Sequence, residues 1–216
     1  MVRCHWRRVN ARARRSEHRA GRPRVSHLVG VLGSVTPPGR LRRALEAALA
    51  SAPAAQPGTT TALLDLAEVQ LAFADGRPPA QIGGDTARVV AAIERADCLL
   101  FASPVYRGTY TGALKNLLDL LPVEALAGKA CGILAMGASQ HHYLGVDWHL
   151  RDVLAWFGAV PAPVGVYLTS ADFVDGALAE VRRAELAELV AGVLRLGQAL
   201  RGAGSAGPPP LAARRT

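Results

Sequence analysis

The stretch SPVYRGTYTGALKNLLDLLP, residues 103–122, decides the fold prediction for this chain. It directly follows CLLFA, an apolar run at 98–102 that has the length of a buried strand. Pro104 would end that strand, because proline lacks the N–H group that a strand ladder needs. A leucine-rich helical pattern then follows a short loop that contains Tyr106 and Tyr110. A loop that only joins a strand to a helix needs no aromatic side chains, so we interpret it as the binding site of a flat ring system.

Short apolar runs alternate with helical patterns along the rest of the chain. We predict strands at 27–33, 60–66, 98–102, 130–137 and 162–169, and helices at 40–50, 85–95, 111–121, 148–157 and 177–200. Strands that are apolar throughout and separated by helices indicate a parallel sheet that is covered on both faces. The predicted fold is therefore α/β, a flavodoxin-like three-layer sandwich with a five-stranded parallel sheet in the order 2-1-3-4-5.

In this strand order, ligands bind at the carboxyl edge of the sheet, between the first and third strands. The loop GSVTPPGR, residues 33–40, follows the first strand and opens a helix. Ser34 and Thr36 carry hydroxyl groups, Arg40 adds positive charge, and a helix N-terminus attracts anions. The loop is therefore a candidate phosphate site, although an ordinary Gly/Pro turn that begins a helix would have the same pattern.

The net charge of +8 belongs to one end of the chain. Residues 1–24 contain nine arginines and a single acid, Glu17, so the remaining residues are balanced in charge. We predict a disordered Arg-rich extension at 1–24, a folded domain at 25–200 and a disordered tail at 201–216. A nucleic-acid-binding arm or a transit peptide would have a similar composition, but we predict a solvated extension and no nucleic-acid partner.

Cysteine and histidine usage favours neither disulfides nor a metal site. Cys98 and Cys131 lie in apolar runs and are predicted to be buried reduced thiols, which indicates a cytoplasmic location. No apolar run reaches the roughly 18 residues that span a membrane. The histidine-rich segment 141–149 lacks metal-ligand spacing, and we predict a polar loop there. Trp148 and Trp156 follow a helical pattern and are predicted to lie in the core or in an interface.

Residues 103–122 resemble the signature of the NADPH-dependent FMN reductase family, in which Pro-x-Tyr is followed by a short loop and Ser/Thr-Gly-x-Leu-Lys. The resemblance covers residues 27–175 and is greatest to the flavin reductases of two-component alkanesulfonate monooxygenase systems. It implies a homodimer or homotetramer that binds FMN and NADPH (or NADH).

The resemblance also implies which residues bind FMN. Ser34 and Arg40 would lie near the phosphate, where Thr36 offers a further hydroxyl. Residues along the isoalloxazine ring would be Pro104, Val105, Tyr106 and Arg107, and those at its pyrimidine end Gly137, Ala138 and Ser139. Tyr110 resembles an extra tyrosine that places a π-bulge in this helix at the subunit interface.

The phosphate loop departs from the family pattern at four positions, Val35, Thr36, Gly39 and Leu41. The loss of hydroxyl donors predicts weak phosphate binding. Weak binding suits a reductase whose flavin is a substrate.

The function implied is hydride transfer from NADPH or NADH to FMN, with reduced flavin supplied to a partner monooxygenase. We expect no catalytic side chain, because the flavin carries the chemistry. One alternative is a quinone or azo reductase with prosthetic FMN. Another is a non-enzymatic electron carrier of flavodoxin type.

Overall fold

The computed structural model of the protein describes residues 26–203 and 207–208. The strands of the main sheet are β1 (His27–Leu32), β2 (Thr60–Asp65), β3 (Cys98–Pro104), β4 (Ala130–Met136), β5 (Val160–Pro161) and β6 (Val166–Leu168). The helices are α1 (Arg40–Ala55), α2 (Thr86–Arg95), α3 (Gly112–Leu120), α4 (Gly145–Trp156) and α5 (Glu180–Ala203). A small hairpin of β7 (Phe173–Val174) and β8 (Ala177–Leu178) precedes α5.

The strands of the main sheet pair in parallel, in the order β2-β1-β3-β4-β5, and β6 also pairs with β4. This confirms the α/β fold and the predicted strand order.

The central strands are buried on both faces, which explains their continuous apolar sequences. In β3, Leu99 and Phe101 face the core cluster shared with α2, α3 and α4. Cys98 and Leu100 face the opposite cluster, shared with α1 and α5. Fully burying such a side chain contributes about 1.5 to 3 kcal/mol, so helices on both faces stabilise the sheet.

The register brings the ends of the inner strands to one edge. Leu32, the last residue of β1, pairs with Ala102 of β3, which pairs with Leu134 of β4. The loops that follow these three strands therefore leave the sheet at neighbouring positions.

The predicted fifth strand, 162–169, is wrong as a continuous element. The structure has two short segments instead, and β5 pairs with Ala130 and Cys131 whereas β6 pairs with 134–136. Pro163 lies in the interruption and has no N–H to donate to a ladder.

The predicted start of the last helix at residue 177 is also wrong. Ala177 and Leu178 belong to the β7–β8 hairpin, whose turn residues Asp175 and Gly176 have φ angles of 48° and 79°. The helix α5 begins at Glu180 and ends at Ala203, three residues beyond the predicted limit at 200.

The predicted extension at 1–24 lies outside the described residues, as does the predicted tail after residue 203 apart from 207–208. Within the described part of the chain, no helix is both long and apolar enough to cross a membrane.

Candidate functional site

The loop after β1 forms a compact turn that its own hydroxyl groups stabilise. The Ser34 and Thr36 hydroxyls are hydrogen-bonded to each other at 2.8 Å, and the Thr36 amide donates to Ser34 Oγ at 3.3 Å. Ser34 is buried and Thr36 is exposed. The two predicted hydroxyl donors therefore differ in role. The buried Ser34 orients Thr36, and only the Thr36 hydroxyl is exposed to a ligand.

The helix α1 begins at this loop without a side-chain cap. Gly39 is its N-cap residue, so no side chain bonds the amides of the first turn. Arg40 is exposed and has no ion pair or side-chain hydrogen bond within residues 26–203. The free amides, the helix dipole and this guanidinium together favour an anion.

A second arginine of the same turn is already neutralised. Arg42 donates hydrogen bonds to Asp65 at 2.8 Å and to Glu46 at 2.9 Å, and it also bonds Glu68. The bonds to Glu68 and Glu46 raise the pKa of Arg42 above its ordinary value. Arg42 therefore ties α1 to the end of β2, whereas Arg40 is free to meet a ligand.

The loop after β3 is held to the sheet before it turns outward. Pro104 pairs in register with Met136, and the Val105 amide donates to the Met136 carbonyl at 2.8 Å. The Tyr106 and Thr109 backbones then exchange two hydrogen bonds, of 2.8 and 3.2 Å. Tyr106 follows with its side chain 48% exposed.

The tip of this loop is a two-residue turn with both φ angles positive. Arg107 has a φ of 52° and Gly108 a φ of 82°, the pattern of a type I′ turn. Their amides make no hydrogen bond to other described residues. The turn thus presents unpaired donors at the edge of the sheet, together with the exposed Arg107 side chain.

The loop after β4 contains Gly137, Ala138 and Ser139. The Gly137 amide bonds the Leu168 carbonyl at 3.0 Å, and the amides of Ala138 and Ser139 have no partner among the described residues. The Tyr167 hydroxyl donates to the Ser139 carbonyl at 2.6 Å. Since a Cβ on Gly137 would collide with the Tyr167 phenol, the glycine leaves room for this bond.

The sequence pattern did not predict Tyr167 as part of the candidate site, although it contacts the loop after β4. Burial raises the pKa of its hydroxyl, so the phenol stays a neutral donor. The available signal was an aromatic residue near the carboxyl end of the predicted fifth strand, the place where Tyr106 was noticed on the third.

Tyr110 does not occupy a π-bulge of α3. The helix begins at Gly112, because the Thr111 side chain caps it by accepting the Leu114 amide. Tyr110 precedes the cap and packs into the core at 9% exposure, and no π-helical segment occurs in the described ranges. Its place at a subunit interface stays a prediction.

Four other predicted residues have clear positions. Cys98 and Cys131 are buried free thiols, as predicted, and burial raises the pKa of Cys98 to about 11. Trp148 and Trp156 are 64% and 52% exposed, so a place in the core is wrong for both. No group of three or more His, Cys, Asp or Glu side chains suited to a metal occurs within 26–203.

The site residues predicted on three separate loops thus lie along one edge of the sheet, where β1, β3 and β4 end side by side. Arg40 and Thr36 are the groups at this edge that could bind an anion. The loops after β3 and β4 form a part rich in unpaired amides.

Comparison with known proteins identifies what the chain resembles. The family model of NADPH-dependent FMN reductases matches residues 26–173. An NAD(P)H-dependent FAD/FMN reductase of Geobacillus thermodenitrificans is 40% identical over 105 residues, 49% of this chain and 57% of that protein. An NADH-dependent FMN reductase, SfnF, of Pseudomonas putida is 33% identical over 166 residues, 77% of this chain and 89% of that protein. In the alignments with the Geobacillus reductase and with two FMN reductases of Pseudomonas fluorescens and Pseudomonas aeruginosa, the chain spans about half the length of each relative.

A solved structure supports the same relationship. The apo form of an NADH:FMN oxidoreductase, EMOB, is 27% identical and superposes with a TM-score of 0.68, covering 88% of this chain and 97% of that one.

Proposed function

Because the chain belongs to the NADPH-dependent FMN reductase family, we propose that it is an NAD(P)H:FMN oxidoreductase that binds FMN across the carboxyl edge of its sheet. One observation carries the proposal. The uncapped, positively charged start of α1 and two loops with unpaired amides adjoin each other at this edge, within the described chain. A planar ligand with a terminal phosphate needs both kinds of group.

The β1 loop and the start of α1 would hold the phosphate. Arg40 supplies a charge that no carboxylate of residues 26–203 neutralises, and Thr36 supplies an exposed hydroxyl. Ser34 orients that hydroxyl through the 2.8 Å hydrogen bond. The groups fit a phosphate because each donates a hydrogen bond or carries positive charge.

The loops after β3 and β4 would hold the isoalloxazine ring. Pro104 and Val105 lie at the base of the β3 loop, next to Met136 of β4, and Tyr106 offers a half-exposed aromatic face. The amides at Arg107 and at 138–139 are donors for the polar edge of the ring. These residues fit a flat heteroaromatic ligand because rigid backbone groups keep their geometry when it binds.

FMN bound here would supply the chemistry, because its ring accepts a hydride from the nicotinamide of NADPH or NADH. Hydride transfer requires no side-chain acid or base. The residues of the chain therefore have to bind and orient the two reactants.

We also propose that FMN is a dissociable substrate and that the reduced flavin passes to a partner monooxygenase. The β1 loop supports dissociation, since Ser34 is committed to Thr36 and neither Val35 nor Gly39 adds a hydroxyl. The monooxygenase rests on the resemblance to reductases of two-component systems.

The test is NADPH and NADH oxidation by the purified protein, with FMN, riboflavin and a quinone each varied as acceptor. Saturable dependence on added FMN is expected. Turnover of quinone by yellow protein without added flavin would indicate prosthetic FMN and a quinone reductase. Failure to oxidise either nucleotide with any acceptor would contradict the enzyme and favour an electron carrier.

A further inference from the structure

Thr111 connects the two loops of the candidate site. Its hydroxyl donates to the Gly33 carbonyl at 2.5 Å, at the start of the β1 loop. The same oxygen accepts the Leu114 amide at 3.1 Å and so caps α3. One buried hydroxyl thereby joins the β1 loop (residues 33–39, the phosphate loop) to the helix that follows the β3 loop (residues 105–111, the ring loop).

The Thr111 backbone is fixed as well. Its amide donates to Ser103 Oγ at 3.1 Å, and the Ser103 hydroxyl donates to the Pro104 carbonyl at 2.9 Å. Ser103 is 0% and Thr111 4% exposed. The bonds from Thr111 to Ser103 and to Gly33 are both buried, so the loss of either would leave a buried polar atom without that partner.

Close packing on the other side leaves the loops little freedom. The Gly33 amide bonds the Ala102 carbonyl at 2.7 Å. A Cβ built on Gly33 would lie 2.9 Å from Leu114 Cβ and 3.1 Å from the Ala102 carbonyl oxygen. The β1 loop therefore lies directly against the start of α3, and the Thr111–Gly33 bond joins the two at this contact.

We infer that Thr111 is a positioning residue that sets the spacing between the phosphate loop and the ring loop, and thereby makes the site prefer FMN to riboflavin. This inference rests on the proposed function. FMN would contact both loops at once, so its affinity depends on their separation, as for any ligand held at two linked points. Riboflavin has no phosphate and would depend on the ring loop alone.

The test compares the affinities of FMN and riboflavin for purified variants, measured by the change in flavin fluorescence. Thr111→Val keeps the shape of the side chain and removes the hydroxyl. We expect it to weaken FMN binding about tenfold, the effect of a buried hydrogen bond, and riboflavin binding less than about threefold. Thr111→Ser restores the hydroxyl and should bind FMN within about twofold of wild type.

Thr86→Val is the matched control. Thr86 is also buried at the start of a helix, and its hydroxyl donates to the Gly83 carbonyl at 2.9 Å, in a segment that follows β2. This variant should lose stability and keep the wild-type preference for FMN. If Thr111→Val does not fold, as judged by circular dichroism, Ser103→Ala provides the test. It removes the bond to the Thr111 amide and should also weaken FMN binding more than riboflavin binding.

An unchanged FMN affinity in folded Thr111→Val, or an equal loss for both flavins, would overturn the inference. Wild-type protein that binds neither flavin would instead contradict the proposed function.

Discussion

At the scale of single residues, two arginines of the first turn of α1 have different roles although only Leu41 separates them. Arg42 is bound by carboxylates from β2, the loop after it, and α1. Arg40 has no carboxylate partner in the described chain and lies at the helix N-terminus. Electrostatic attraction of a phosphate at this end of the site should therefore depend on Arg40.

Arg40→Ala is expected to weaken FMN binding about tenfold, because a charge-assisted hydrogen bond to an exposed phosphate is lost. Riboflavin binding should stay within about twofold. Fluorescence titration with each flavin measures both effects.

Arg43→Ala is the control for Arg40, since Arg43 is exposed on the same helix and has no side-chain partner among residues 26–203. Equal losses of FMN affinity in the two variants would mean that Arg40 contributes only to the overall positive charge of α1 and makes no specific contact with the phosphate.

The Arg107–Gly108 turn depends on its backbone conformation. Gly108→Ala places a Cβ at a φ of 82°, although no atom lies within 4 Å of it. We expect a loss of about 1 to 2 kcal/mol in the free energy of unfolding, from the left-handed conformation alone. Urea unfolding measures this loss.

Gly112→Ala provides the comparison, because Gly112 also has open space around it but opens α3 with ordinary helical geometry. Gly112→Ala should leave the free energy of unfolding unchanged or raise it by up to about 1 kcal/mol. Similar losses at both positions would contradict the conformational explanation.

At the scale of secondary-structure elements, Asp172 fixes the path from β6 to α5. It completes a capping box with Thr169 and accepts a hydrogen bond from Arg182 of α5 at 2.8 Å. Burial alone would raise the pKa of Asp172, but the bonds from Thr169 and Arg182 outweigh it and lower the pKa. The carboxylate form therefore stabilises this segment.

Because the folded pKa lies below its ordinary value of 3.8, the unfolded chain takes up the proton more readily. The stabilisation is present above pH 3.8 and is lost as the pH falls through the folded pKa. Asp172→Asn should lower the free energy of unfolding at pH 7 by about 1 to 3 kcal/mol, and the difference from wild type should shrink in acid. Urea unfolding between pH 7 and pH 3 gives the comparison.

Asp152→Asn serves as its control, since Asp152 is exposed on α4 without an ion pair in the described residues. A constant difference between Asp172→Asn and wild type at every pH would contradict the role of the carboxylate.

At the scale of the whole molecule, Trp148 and Trp156 expose large apolar surfaces that an isolated protomer would leave in water. Trp156 is 52% exposed and makes an edge-to-face contact with Phe157, with ring centroids 5.0 Å apart. It borders a crevice of about 420 Å³ between α3 and α4, beside Leu118 and Val153. Large exposed apolar side chains of this kind are typical of interfaces.

Wild-type protein is expected to sediment as a homodimer or homotetramer, and Trp156→Glu as a smaller species. Burying a charge in place of an aromatic anchor should cost the interface more than about 2 kcal/mol. Analytical ultracentrifugation separates the species.

Val164→Glu is the control on another surface, because Val164 is 76% exposed in the segment between β5 and β6. A monomeric wild type, or equal dissociation by both variants, would contradict an interface at Trp156.

The sequence by itself determined the strand order and placed the three loops of the candidate site at one edge of the sheet. These features depend on local patterns: continuous apolar runs, short βα loops and the residues that end a strand. It did not determine the break between β5 and β6 or the hairpin before α5. There the apolar pattern of a strand continued across Pro163, and the helical pattern extended back through Ala177 and Leu178, so backbone geometry decided the outcome.

Only the tertiary structure decided which side chains are free and which are bound. Arg42 is neutralised by Asp65, 23 residues away, and the Thr111 hydroxyl reaches a carbonyl 78 residues earlier in the chain. Tyr167 likewise bonds a carbonyl on another strand's loop, 28 residues away. Such partners meet because packed helices and strands bring distant segments within hydrogen-bond distance, and no local pattern encodes that distance.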